Sequence, residues 1–310
     1  MNSNIKIFIS SPLIRLVQEF AKRVTVYKPN VLITYYDIYP LSRGDLKPTR
    51  YTIKNRERIG ELMLDCGAFS LQQEYRNRSE DERERASDEL FEAYKAYTEL
   101  AHEQYDHIIS MDDRFDLDSM EHNLGRLHEM EDIGVNAIPV IHNIYDPNEI
   151  SYFIDNEYDM VAIGQCKGRD DLRVLYPVVD RLYQAGIKVH LFGKTTPKII
   201  NHVPLYSCDS KTFLDYGTRG KVLYWNPENK GLDKTDVIYF PKYQEKPDEG
   251  KGYYYHEYKY LDDFKRYIAH NLDLDFEAFK TDDGDFYREL VNMLYFANLE
   301  YEVNNSPLLP

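Results

Sequence analysis

Three short apolar runs end in aspartate. LMLD closes on Asp65, IISMDD on Asp112 and Asp113, and LYSCD on Asp209. Two further runs end on polar groups: IPVIH on His142, and VAIGQ on Gly164 and Gln165. An aspartate after a strand often does no more than cap the next helix. Carboxylates gathered from several strands have two other uses. They can hold a divalent cation through oxygen, or they can work on a glycosidic bond, one as nucleophile or charge stabiliser and the other as acid/base. The cluster DDRFDLD at 112–118 lacks the spacing, glycine and terminal glutamate of an EF-hand loop. A GxGxxG dinucleotide fingerprint and a GxSxG nucleophile elbow are both absent. The three cysteines, Cys66, Cys166 and Cys208, are odd in number and far apart. They fit a reducing compartment better than a disulfide framework or a CxxC zinc site. Cys66 and Cys208 read as small buried fillers beside the aspartates, and His190, inside an apolar run, reads as structural.

The elements that must position these groups follow from the apolar pattern. Eight runs of four to eight residues recur at 5–10, 31–37, 62–67, 107–113, 135–142, 160–165, 188–193 and 204–210. None alternates strictly, as expected of strands buried on both faces. Helical patterns lie between most of them. Ser79 and Glu82 form a capping box ahead of a helix reaching about Gln104. Asp146-Pro147 is an N-cap followed by proline, and Arg169 to Ala185 closes on Gly186. Strands alternating with helices predict parallel βαβ units. Eight is the number that closes a TIM barrel, with an open doubly wound sheet as the other arrangement. The predicted fold is therefore an α/β, TIM (β/α)8 barrel over 1–235. A C-terminal extension over 236–310 contains the last barrel helix and further helices, near 257–270 and 284–302. In such a barrel every strand opens its C-terminal end onto one mouth, where the aspartates would converge.

Composition sets limits on this reading. The chain has 310 residues, a formal charge of −15 and 43% apolar residues, as in a packed globular protein. No run approaches a membrane span, and MNSNIKIFIS lacks the features of a secretory signal, so a cytoplasmic setting and no membrane partner are expected. A strongly acidic chain argues first against nucleic acid. The charge is uneven, however. Residues 79–92, 112–132 and 261–289 carry −5, −6 and −5, mostly on predicted outer helices. Arg43 to Arg58 holds six bases, among them Arg43, Lys47, Arg50 and Lys54, against two acids. A second basic stretch, Lys211, Arg219 and Lys221, follows Asp209. Both are expected at the mouth, where they would contact phosphates. The chain also has 28 tyrosines, dense in GYYYHEYKY at 252–260, which reads as packing against the barrel or as a stacking surface for unpaired bases.

Taken in order, the strand ends resemble those of the tRNA-guanine transglycosylase superfamily. LDCGAFS (64–70) is similar to its Asp-Ser-Gly-Gly-aromatic motif, and SMDD (110–113) to the segment that reads the guanine edge. IPVIHN (138–143) resembles the Val-Gln-Gly segment with His142 in place of glutamine. VAIGQCKG (161–168) resembles the Ile-Gly-Gly segment with Gln165 in place of the second glycine. YSCDSKTF (206–213) resembles the nucleophile segment. The resemblance covers about half the chain and implies roles: Asp209 as nucleophile and Asp65 as general acid/base. Phe69 would stack on the base and Asp112, with Asp113, would read its edge, while His142, Gly164 and Gln165 would line the base site. The cysteine-rich zinc site of bacterial and archaeal members has no counterpart, since Cys208 is the one cysteine after residue 170; no metal and no cofactor are expected. Its short nucleophile segment is most like the branch, known from phages and mobile elements, that places 7-deazaguanine bases in DNA. The implied partners are DNA, with tRNA as the alternative, and a free 7-deazaguanine base such as preQ0 or preQ1. A protein partner or homodimer is compatible with this. Two other readings stay open: a non-catalytic barrel subunit of such an enzyme, and an unrelated glycoside hydrolase. The single Trp225 weighs against the latter, whose mouths stack sugars on several tryptophans.

Overall fold

The computed structural model describes residues 4–42, 55–116, 119–164, 166–241, 252–281 and 283–305. Strands and helices alternate: β1 (Lys6–Ser10), α1 (Ile14–Arg23), β2 (Asn30–Thr34), α2 (Tyr35–Ser42), β3 (Leu62–Asp65), α3 (Ala68–Tyr75), α4 (Glu80–Ala101) and β4 (His107–Ile108). They continue with α5 (Met120–Asp132), β5 (Val140–Ile141), α6 (Pro147–Asp155), β6 (Met160–Ile163), α7 (Leu172–Gln184), β7 (Lys188–Leu191), α8 (Pro197–Ile200), β8 (Ser207–Ser210) and α9 (Thr212–Thr218). The expected caps form. Ser79 and Glu82 exchange their bonds at the head of α4, and the Asp146 side chain accepts from Asn148 N–H at the head of α6. Helix α7 starts at Leu172 rather than Arg169, because Asp171 supplies its cap and Arg169 is drawn into the mouth.

The eight strands form one curled sheet in the order β4-β3-β2-β1-β8-β7-β6-β5, every pairing parallel, with helices around it. This is a TIM-like arrangement, but the ladder does not run unbroken round the circle. Its edges, β4 and β5, are two residues long each, and a single isolated bridge joins Ile109 to Ile138. The expected runs 107–113 and 135–142 are thus mostly outside the ladder. Pro139 has no N–H to donate and gives the sheet only its carbonyl, which accepts from Ala162 N–H at 2.8 Å.

Alternation along the strands sorts side chains between two environments. Phe8, Leu32, Met63, Ile109, Ile138, Val140, Met160 and Ala162 point inward and fill the curl. Their neighbours, such as Ile7, Ile9, Ile33 and Leu64, pack outward against helices. Two residues on from Met63 and from Ser207, the same parity carries Asp65 and Asp209 to the inner top.

The C-terminal region departs from the expected helical extension. It contains a three-stranded sheet ordered β11-β10-β9, from β9 (Lys221–Trp225), β10 (Thr235–Tyr239) and β11 (Tyr253–Tyr254), followed by α10 (Leu261–Leu272) and α11 (Gly284–Asn304). Strands β9 and β10 pair antiparallel, with Thr235 opposite Trp225, so residues on either side of the 235/236 boundary belong to one hairpin. The tyrosine segment packs here. Tyr255 stacks on Phe240 at 5.1 Å, and buried Tyr258 donates to Asp236. Tyr253 stays half-exposed.

Helix α11 is buried on nearly every side, as an element enclosed by others must be. It packs on α9, α1 and β1. Near its end Glu300 accepts from Ile7 N–H at 2.6 Å and from the Asn30 side chain at 3.3 Å. Burial lifts its carboxyl from the usual 4.5 to about 7, against the pull of these donors. Because the folded value is the higher one, the native state binds the proton more tightly. That contribution to stability is complete below about pH 4.5 and is lost as pH rises through about 7, an effect of about 3 kcal/mol. Glu300→Gln should therefore gain stability relative to the parent steadily between pH 5 and 8. Urea denaturation across that range checks it, and a difference independent of pH would refute it.

Candidate active site

The inner tops of the strands enclose a cavity of about 430 Å³. Its lining includes Asp65, Phe69, Asp112, Gly164, Asp209 and Lys211, together with Ser10, Phe115, Arg169, Phe192 and Gly193. The convergence expected of Asp65, Asp112 and Asp209 thus occurs.

Asp209 is 7% exposed and held on both oxygens. Ser10 Oγ donates to Oδ2 at 2.6 Å, and Gly193 N–H donates to Oδ1 at 2.6 Å. His190 Nε2 lies 3.6 Å from Oδ1. Burial alone would raise this carboxyl. The imidazole of His190, the hydroxyl of Ser10 and the N–H of Gly193 outweigh burial and hold it below the usual aspartate range.

Asp65 goes the other way. Burial, then the charges of Asp112 and Asp209, push it well above the usual range, with Gly67 and Cys66 N–H groups as weaker opposition. Its turn depends on Gly67, which has φ +89°; an added Cβ would lie 2.4 Å from Tyr36 Cβ. Two neighbouring carboxyls driven apart in proton affinity give one group that stays ionised and one that can carry a proton, which is how acid and nucleophile roles divide.

Asp112 is buried beside His142, Oδ2 to Nε2 at 3.1 Å, and accepts from the Cys66 thiol at 3.5 Å on Oδ1. His142 is 3% exposed, and its backbone N–H is fixed by Glu149 at 3.2 Å. It backs the cavity rather than lining it. Gly164 lets it sit there, because a Cβ at 164 would approach His142 Cε1 to 2.8 Å. Cys66 does more than fill space: it bridges the two carboxyls, and burial with the charges of Asp65 and Asp112 keeps its thiol protonated. Asp65, Cys66 and Asp112 each bring one possible ligand atom within 4.8 Å of the others, so they are the described residues that could share a metal ion. The proton affinities of Asp65 and Cys66 favour protons at the same place.

Phe69 is 52% exposed on the cavity rim, with its ring 6.2 Å from Phe115, whose ring is 5.2 Å from His142. Exposed Phe69 and part-buried Phe115 beside buried carboxylates offer a flat ligand one apolar wall.

Other expected site residues lie elsewhere. Asp113 turns out of the mouth, because the chain alternates after Asp112. Its Oδ1 meets His122 Nε2 at 2.7 Å and its Oδ2 accepts from Ser87 at 2.5 Å, in a second cavity of about 550 Å³ between α3, α4 and α5. It cannot read the same ligand edge as Asp112. Lys211 lines the mouth, but Arg219 and Lys221 follow α9, about 10 Å of helix further on, and are not among the lining residues. Gln165, Arg43, Lys47, Arg50 and Lys54 fall outside the described residues.

Four lining residues are absent from the expected site, three of them with a signal in the sequence. Ser10 ends the first apolar run as Asp65 ends the third. Phe115 lies inside the acidic cluster, which drew attention to its charges. Gly193 ends the seventh run. Arg169 donates to the carbonyls of Gly164 and Phe192 at 3.2 and 3.1 Å, tying the tops of β6 and β7 together. No family model matches the chain, and no curated protein matches it.

Proposed function

We propose that the chain is a nucleic-acid guanine transglycosylase, a (β/α)8-type enzyme that exchanges guanine for a 7-deazaguanine base in DNA. The observation that carries this reading is Asp209, held on both oxygens by Ser10 and Gly193, in one cavity with Asp65, whose carboxyl is pushed up by burial and like charge, beside an aromatic rim. Exchange at a sugar without cutting the backbone must retain configuration, which two inversions through a covalent intermediate achieve. Asp209 attacks C1′ as the bond from C1′ to guanine N9 breaks, and the departing base takes the proton of Asp65. The incoming base then returns its N9 proton to Asp65 and displaces Asp209 from C1′. Asp112 accepts from the guanine N1–H and exocyclic amine, with His142 holding it in place. Phe69 and Phe115 stack on the base, and Lys211 meets the backbone beside it. A base must leave the duplex stack to reach this depth, at a cost of a few kcal/mol.

Catalysis then requires Asp209 ionised and Asp65 protonated, which predicts a bell-shaped pH dependence. The deciding experiment offers radiolabelled guanine or 7-deazaguanine to the purified chain with DNA or with tRNA. Label should enter DNA. Label confined to tRNA reverses the acceptor, and label in neither removes the base-exchange reading.

A further inference from the structure

His190 lies on β7 with no exposed surface, below the mouth rather than in it. Its Nδ1 is 2.8 Å from Ser207 Oγ, while its Nε2 has Asp209 Oδ1 at 3.6 Å and no hydrogen-bond partner. Phe8 meets the ring edge-on at 6.0 Å and Phe192 at 4.7 Å. The groups brought against the imidazole are thus Ser207 and Asp209 from β8, Phe8 from β1 and Phe192 beyond β7; Asp209 is the charged one among them.

These contacts select one tautomer. Asp209 accepts from Ser10 and Gly193 and has no proton to give, so a bare Nε2 lone pair facing it would be repulsive. The ring therefore carries its proton on Nε2. Nδ1 is then an acceptor, and Ser207 donates to it. We propose that His190, fixed in its Nε2–H form by Ser207, is a positioning residue that keeps Asp209 ionised and aimed at the substrate. It acts through Asp209 and never touches the base. As Asp209 leaves C1′ in the second step and recovers its charge, the Nε2–H is already directed at the oxygen that receives it, a preorganised donor of the kind that stabilises developing charge. The long contact is free to tighten at that stage.

The role of Asp209 as nucleophile rests on the proposed base exchange; the effect of His190 on its charge does not. The test uses the full chain labelled with aspartate 13Cγ, the Asp209 signal being assigned by its loss in Asp209→Asn. In His190→Phe, which preserves the ring shape, the Asp209 titration should move up by at least one pH unit, and His190→Gln, which keeps an N–H donor, should restore most of it. In the exchange assay the same variants should shift the acid limb of the pH profile, lowering kcat about a hundredfold in His190→Phe with little change in KM for the nucleic acid. An Asp209 titration unmoved in folded His190→Phe overturns the proposal, as does a Gln variant no better than Phe. Should the parent exchange no base at all, the functional reading fails and the 13C titration still decides the role of His190.

Discussion

Asp209→Asn is expected to abolish base exchange, by at least about 10⁴-fold in kcat, and to remove any adduct between chain and nucleic acid that survives denaturant. The substitution replaces one oxygen by an amide nitrogen of nearly the same size, so the cavity keeps its shape. What it removes is the charge and the lone pair that attack C1′. The remaining amide oxygen can still accept from Ser10 or from Gly193, and Asp65 loses one of the two like charges that raise it. Stability should hardly change. The expectation is checked by label transfer together with gel and mass analysis of the trapped adduct, and a fully active variant would sink the nucleophile assignment. Asp65→Asn should also lose exchange but for a different reason, since the nucleophile survives while the departing base has no proton donor.

Asn292→Leu should be the most destabilising single change among the buried polar residues outside the cavity, by about 4 kcal/mol. The side chain is fully buried on α11 and serves three backbone groups. Its Oδ1 accepts from Leu223 N–H at 2.7 Å, and its Nδ2 donates to the carbonyls of Phe213 and Lys221 at 3.0 and 3.2 Å. Leucine fills the volume but removes the bonds that Asn292 makes to one backbone donor and two backbone acceptors. Phe213 is on α9, whereas Lys221 and Leu223 are on β9, so one amide ties the sheet's last helix and the C-terminal strands to α11. Urea unfolding should show one transition at a lower midpoint, because these elements share a core with β1 and α1. Two separated transitions, the first confined to the C-terminal region, would show instead that 221–305 folds apart from the curled sheet.

Particular residues show what local pattern could and could not convey. The eight strands were legible because runs such as IKIFIS and KVHLFG are buried on both sides and apolar throughout. Helix α4 was legible because Ser79 and Glu82 satisfy each other within four residues. The C-terminal sheet was not, because KVLYW and TDVIY read like any short apolar run. Only pairing between Trp225 and Thr235, across a loop, makes them a hairpin. The site divides likewise. Asp65, Asp112 and Asp209 announce themselves as strand ends. Asp113 looked equivalent to Asp112, and a one-residue alternation sends it to a different cavity. His190 looked structural, and being inside a strand it is; its partner across the β7–β8 ladder makes it a neighbour of Asp209.

By itself the amino-acid sequence determined where the eight short strands of the curled sheet fall, and that three carboxylates end strands opening on one face. Those properties depend on periodicity and caps, which act over a few residues. Tertiary structure alone decided that the sheet curls without an unbroken ladder, that Cys66 bridges two carboxyls, and that Asp65 and Asp209 part in proton affinity. Proton affinity depends on burial and on charges a few ångströms away. For Asp209 those come from Ser10, His190 and Gly193, on chain segments up to 199 residues distant, which only the folded chain assembles.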